Sequence, residues 1–274
     1  MGTNALDIRP LSGALGAEIL GIDLSHELGD QTVAAIRAAW LEHLVVFFRE
    51  QTLAPAEFLR VASRFGEPVE YPFVKGLDGF PQITPVIKLE HEKVNFGGLW
   101  HSDTAYLECP PMATMLIARE TPPRGGDTLF ANMYAAYEAL SDRMKAYLDG
   151  LTALHDGEQT YRGLYANYGV ADRPDYPRAE HPVVRTHPVT GKKALYVNRG
   201  FTRFLIGVPR DESDAMLAYL YQHAENPLFQ CRFRWSENAI AFWDNRCAQH
   251  RAMWDYWPHT RAGTRVTVKG ERPV

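Results

Sequence analysis

The feature that most narrows the fold of this chain is a succession of short segments, rich in β-branched and aromatic residues, that regular helices do not pace. LVVFFRE (44–50), QITPVIKL (82–89), ATMLIARE (113–120), DTLFAN (127–132), FQCRFRW (229–235), AIAFW (239–243) and TRVTVKG (264–270) each have the length and residue types of a strand. THPVTGKKALYVN (186–198) reads as two more strands joined by a turn at Thr190-Gly191. Helices are fewer: one over TVAAIRAAWLEHL, capped by Asp30, one opened by Pro55 through AEFLRVASRF, and one from Asp211 that stops at Asn226-Pro227. Without steady strand-helix alternation, a β-sandwich or jelly roll with flanking helices is expected rather than a doubly wound sheet. The 274 residues, 46% of them hydrophobic, suffice for one domain over 1–274 with a sizeable core. The irregular stretch 157–180 reads as a loop or lid.

Charge and cysteines exclude several classes. A net charge of -4 with scattered Lys and Arg provides no basic field for a nucleic acid. No signal sequence, lipidation motif or long apolar run is visible, so a cytoplasmic protein without a membrane partner is expected. Cys109, Cys231 and Cys247 are odd in number and lack C-x-x-C spacing, and are expected to be reduced, buried thiols.

The chemistry starts at WHSDTAY (100–106). In an extended segment residues i and i+2 share a face, so His101 and Asp103 can aim an imidazole and a carboxylate at one point. Ten histidines and 15 aspartates in 274 residues give about 0.5 such pairs by chance, so the spacing alone does not decide. His223-x-Glu225 falls in the expected third helix, where i and i+2 diverge, and reads as surface. His250, after AIAFW and a turn-like Asp244-Asn245, is a candidate third ligand, or equally a bonded core histidine. Two histidines and one carboxylate with the opposite side open suit non-haem Fe(II). Arg261 and Arg265 share a face if TRAGTRVTV is a strand; they are either a solvated edge pair or the anchors of two anions. Thr128 in GGDTLF is either a residue beside a turn or a hydroxyl for one of those anions.

Taken together, WHSDTAY, the following PP (110–111), RGGDTLF, HPVVRTHPVTGKKALYVN and WDNRCAQH, with arginines eleven and fifteen residues after its histidine, resemble the TauD/TfdA family over nearly the whole chain. The resemblance implies a double-stranded β-helix (jelly-roll) core, Fe(II) on His101, Asp103 and His250, and O₂ as oxidant. It implies 2-oxoglutarate as co-substrate, its far carboxylate on Arg261 and Thr128, and a small anionic substrate at Arg265. Phe201, Thr160 and Tyr161 are implied as pocket lining, and Tyr71 stands where taurine dioxygenase has a substrate-gripping histidine. That departure, and Val74 in place of a tyrosine, speak against taurine and for another sulfonate, a sulfate ester or an aryloxyalkanoate. Asp103 itself favours hydroxylation over halogenation, and the family implies a homo-oligomer, a dimer or tetramer. The competing classes are a zinc hydrolase on the same three residues and a non-catalytic jelly-roll binding protein.

Overall fold

The computed structural model describes residues 6–92, 97–158 and 176–274. Its main sheet runs in the order β1 (Asp7–Pro10), β2 (Ala17–Leu20), β3 (Val45–Phe48), β14 (Ile240–Asp244), β6 (Ala113–Glu120), β16 (Arg261–Val268) and β4 (Pro68–Val69), with β5 (Ile83–Lys88) also paired to β16. A three-stranded sheet has the order β13 (Gln230–Phe233), β7 (Thr128–Asn132), β15 (Ala248–Ala252). A second one has β12 (Thr202–Leu205), β8 (Thr152–Asp156) and β9 (Arg178–Pro182), and β10 (Val184–Thr186) pairs with β11 (Lys193–Leu195). All of these pairings are antiparallel except that of β2 with β3.

Alternation along the main sheet explains why whole strands such as VVFF are buried. Val46 and Phe48, Met115 and Ile117, Ile240 and Phe242, and Val266 and Val268 face one core, together with Ile36 and Trp40 of α1 (Asp30–His43) and Phe58 and Val61 of α2 (Pro55–Ser63). Trp40 stacks on Phe242 with ring centres 4.6 Å apart. Val45 and Phe47, Leu116 and Ala118, and Ala241 and Trp243 face the other way, into a core shared with Phe130, Cys231, Phe233 and Ala248 of the opposing sheet. Phe47 lies flat on Phe233 at 3.9 Å. The layers are thus helices, main sheet and small sheet, the arrangement of a double-stranded β-helix.

The remaining helices are α3 (Met133–Glu138), α4 (Asp142–Leu148) and α5 (Arg210–Ala224). None of the described helices is long and apolar enough to cross a membrane. Several expectations need correction. Asp30 is the first residue of α1 rather than its cap; Gly29 occupies the cap, and the Asp30 carboxylate pairs with Arg64 at 2.5 Å. Cys109 is exposed, while Cys231 and Cys247 are buried and burial pushes the Cys231 thiol up to about 12. The end of the expected 157–180 loop, from Arg178, already belongs to β9, and 159–175 lies outside the described residues. His223 is half-buried and bonds through Nε2 to the Ala136 carbonyl oxygen at 2.7 Å, which ties α5 to α3.

Candidate metal centre and anion pocket

Backbone pairing brings the two histidines together. His101 N donates to His250 O at 3.1 Å and His250 N to His101 O at 2.9 Å, an isolated antiparallel bridge that sets their rings 4.2 Å apart. His250 is held in β15 opposite Phe130 of β7. After His101 the chain turns, with Thr104 at φ 45°, and Asp103 swings in from the side. Its Oδ1 is 3.8 Å from each histidine Nε2. Two metal-ligand bonds of about 2.1 Å span up to about 4.2 Å, so one ion can bridge each of these pairs.

The inward face of the main sheet holds this corner. Thr114 of β6 donates to Asp103 Oδ2 at 2.6 Å, Asn245 Nδ2 donates to the Thr114 oxygen at 2.9 Å, and Trp243 Nε1 fixes Asn245 Oδ1 at 2.9 Å. His101 Nδ1 donates to Leu99 O at 2.7 Å, which leaves its Nε2 lone pair turned to Asp103. Burial works against ionised Asp103, but His250, Arg265, His101 and the Thr114 hydroxyl together hold its carboxyl below the usual range. Burial, then the neighbouring His101, depresses His250 to about 3, and burial lowers His101 too. The site therefore presents two neutral imidazoles and one carboxylate, the protonation states in which all three are ligands.

The two arginines of β16 have separate surroundings. Arg265 Nη1 lies 3.5 Å from Asp103 Oδ1, and its guanidinium carbon is 4.0 Å from the centre of the Tyr71 ring. Arg261 stands over Trp235 at 5.3 Å, and burial lowers its guanidinium from the usual value. Among the described residues no carboxylate forms an ion pair with Arg261, and its Nε has no acceptor. The Thr128 oxygen accepts from Trp235 Nε1 at 2.9 Å and, at the limit of 3.5 Å, from Arg261 Nη2. Its hydroxyl hydrogen is therefore available to a further acceptor.

Phe201 packs its edge against His101 with centres 5.8 Å apart and against Tyr106 at 5.0 Å. Tyr106 meets Phe73 at 5.8 Å, and Phe73 meets Tyr71 at 6.3 Å. The sequence reading missed Phe73 and Tyr106 as parts of this aromatic wall, as well as Thr114 and Asn245; a polar Thr114 inside the apolar run ATMLIARE was the available signal. Thr160 and Tyr161 lie outside the described residues.

The chain matches the family described as "Taurine catabolism dioxygenase TauD, TfdA family" over residues 7–267. An α-ketoglutarate-dependent sulfate ester dioxygenase of Pseudomonas putida is 36% identical, covering 98% of this chain and 91% of its own. The crystal structure of a taurine dioxygenase from Burkholderia xenovorans superposes with a TM-score of 0.84 at 36% identity, covering 98% and 91% of the two chains. The structure of AAD-2 in complex with Mn(II) and N-oxalylglycine does so with a TM-score of 0.82 at 27% identity, covering 98% of each chain. With its jelly-roll layers and its cluster of two histidines and one aspartate, the chain belongs to the TauD/TfdA family.

Proposed function

We propose that this protein is an Fe(II)- and 2-oxoglutarate-dependent dioxygenase that hydroxylates a small anionic organic molecule of sulfonate, sulfate-ester or aryloxyalkanoate type, with succinate and CO₂ as co-products. The observation that carries the reading is Arg261, a half-buried cation without a carboxylate ion pair among the described residues, in the same barrel as the His101, Asp103 and His250 cluster. A cation withdrawn from water in this way is stabilised when an anion joins it. A hydrolase that activates water on zinc has no use for such a second site.

His101, Asp103 and His250 would hold the iron and leave its other positions to the co-substrate and O₂. When bound, iron and 2-oxoglutarate supply the oxidising power through decarboxylation of the co-substrate. The chain's part is placement. Arg261 and the Thr128 hydroxyl would take the far carboxylate of 2-oxoglutarate, which fixes the direction of its chelating end. Arg265 would take the anionic head of the substrate beside Asp103, with Tyr71 under its guanidinium. Phe201, Tyr106 and Phe73 would exclude water from the substrate body, and Thr160 and Tyr161 would complete that lining. A single domain, a cytoplasmic location and a homo-oligomer, dimer or tetramer, belong to the same reading.

The test is succinate release from 2-oxoglutarate with Fe(II) and O₂ across a panel of sulfonates, sulfate esters and aryloxyalkanoates. The expected result is succinate formed in step with oxidation of one compound class, and lost in Arg261→Met. Metal-dependent hydrolysis that persists without 2-oxoglutarate and in Arg261→Met would move the protein to the zinc hydrolases.

A further inference from the structure

Phe201 meets the His101 ring from a four-residue turn, Asn198-Arg199-Gly200-Phe201, that leads into β12. The turn is built around its first side chain. Asn198 Oδ1 accepts from Phe201 N at 2.8 Å, Asn198 O accepts from Thr202 N at 3.0 Å, and Asn198 N donates to Thr202 Oγ1 at 2.9 Å. Asn198, Phe201 and Thr202 are all buried, so water does not replace a bond lost there. Phe201 is held from its other side too, where its carbonyl oxygen accepts from Asp156 N of β8 at 2.8 Å. Thr202 pairs with His155 of β8, and its Oγ1 lies 3.4 Å from Nδ1 of that buried imidazole.

The same turn closes on the metal corner. Gly200 N donates to Trp100 O at 3.0 Å, and a Cβ at Gly200 would stand 3.0 Å from the His101 Cβ and 3.4 Å from Asn198 Oδ1. A side chain at 200 would push the turn off His101. Arg203 Nη2 donates to Gly200 O at 3.3 Å and to Asp156 O at 2.9 Å, which ties the turn to β8. The Phe201 ring ends almost perpendicular to His101, at 89° with centres 5.8 Å apart. Of the bonds that seat it, the one on Phe201 N depends on the side chain of residue 198. Shortening that side chain frees the Phe201 amide, and the ring beside His101 loses its reference point.

We propose that Asn198 is a specificity-determining positioning residue: through Phe201 N it sets how far the Phe201 ring stands from His101, and so the clearance left for the substrate body beside the metal. The proposal rests on the reading of His101, Asp103 and His250 as the metal centre and of Phe201 as pocket lining given above.

The test is NMR of the Co(II)-loaded protein with ring-labelled phenylalanine. Cobalt displaces nearby resonances by an amount that falls steeply with distance, so the Phe201 signal reads its separation from the metal. Phe201→Leu identifies that signal and separates it from Phe130, which lies against His250. Asn198→Ala is expected to lose most of the displacement, Asn198→Asp, with an acceptor in the same place, to recover most of it, and Thr202→Val, without the acceptor for Asn198 N, to lose part. Mn(II) and N-oxalylglycine affinities are expected to stay within about twofold in all three. For the compound class that the wild type oxidises, Asn198→Ala is expected to raise KM about tenfold with a smaller change in kcat. Thr202→Val gives the same comparison if Asn198→Ala does not fold. No displaced phenylalanine signal in wild-type protein with one cobalt per chain would overturn the reading of the metal centre, and the Asn198 proposal with it. A displaced Phe201 signal that is the same in Asn198→Ala and Thr202→Val would overturn the Asn198 proposal alone. Equal loss in Asn198→Ala and Asn198→Asp, or N-oxalylglycine affinity lost along with the displacement, would make Asn198 a packing residue and overturn it as well. A lost displacement with KM unchanged would overturn its role in specificity.

Discussion

His101, Asp103 and His250 place their ligand atoms within 4.8 Å of one another, and so do His187, Asp244 and Cys247. The second group is in use. His187 Nδ1 accepts from Val189 N at 3.2 Å and Thr190 N at 3.1 Å, so its proton is on Nε2, which donates to Asp244 at 3.1 Å. Both Asp244 oxygens are taken by Arg246, at 2.8 and 2.7 Å, and burial keeps the Cys247 thiol protonated. The first group has capacity left: two imidazole Nε2 atoms and Asp103 Oδ1 converge, with His101 braced through Nδ1 on Leu99 O and Asp103 through Thr114. Proximity of ligand types does not make a metal site; unspent lone pairs do.

The largest effect that would break this contrast is at the aspartates. Asp103→Ala is expected to lose turnover and at least about 100-fold in Mn(II) affinity, measured by calorimetry, since outer partners alone are worth 10–100-fold. Asp244→Ala is expected to bind one Mn(II) with unchanged affinity yet lose about 3–5 kcal/mol of stability in urea, because Arg246, 3% exposed, is left as an uncompensated buried charge. Metal lost from Asp244→Ala with Asp103→Ala intact would reverse the assignment.

A smaller contrast uses the threonines. Thr114→Val removes the hydroxyl from Asp103 and is expected to weaken Mn(II) about tenfold. Thr190→Val removes a partner of Tyr134 beside the saturated cluster and leaves Mn(II) binding unchanged.

Protonation gives a third. His250 at about 3, and His101 below its usual 6.5, stay neutral in the folded protein while the same histidines in the unfolded chain protonate below 6.5. The unfolded state then binds more protons, so the metal-free protein loses stability as pH falls below 6.5, by at most about 1.4 kcal/mol per pH unit for each such histidine, a loss that continues toward about 3 for His250. Chemical denaturation of metal-free protein at pH 7.5 and 5.5 checks it; equal stabilities would contradict the assigned neutral state.

The smallest effect belongs to His223→Gln, which removes one bond between α5 and α3. It is expected to cost about 1 kcal/mol in urea and nothing in Mn(II) affinity.

The strands were legible because ATMLIARE and AIAFW are buried on both faces and read as β-branched and aromatic runs. The Asp30 cap was not, because Asp is favoured both at the cap and in the first turn, and only backbone geometry at Gly29 separates the two. His101 and Asp103 could be paired from their spacing, but His250 joins them through a backbone bridge across 149 positions that no local pattern encodes. Tyr71 was noticed as a substitute for a histidine, while its stacking under Arg265 appears only in three dimensions.

The most direct test of the central claim is anaerobic addition of Fe(II) and 2-oxoglutarate to the metal-free protein, followed in the visible spectrum, for the wild type and for Asp103→Ala. The expected result is the charge-transfer band of iron-chelated 2-oxoglutarate in the wild type, saturating at one iron per chain, and no band in the variant. Absence of the band in folded, iron-loaded wild-type protein would contradict it.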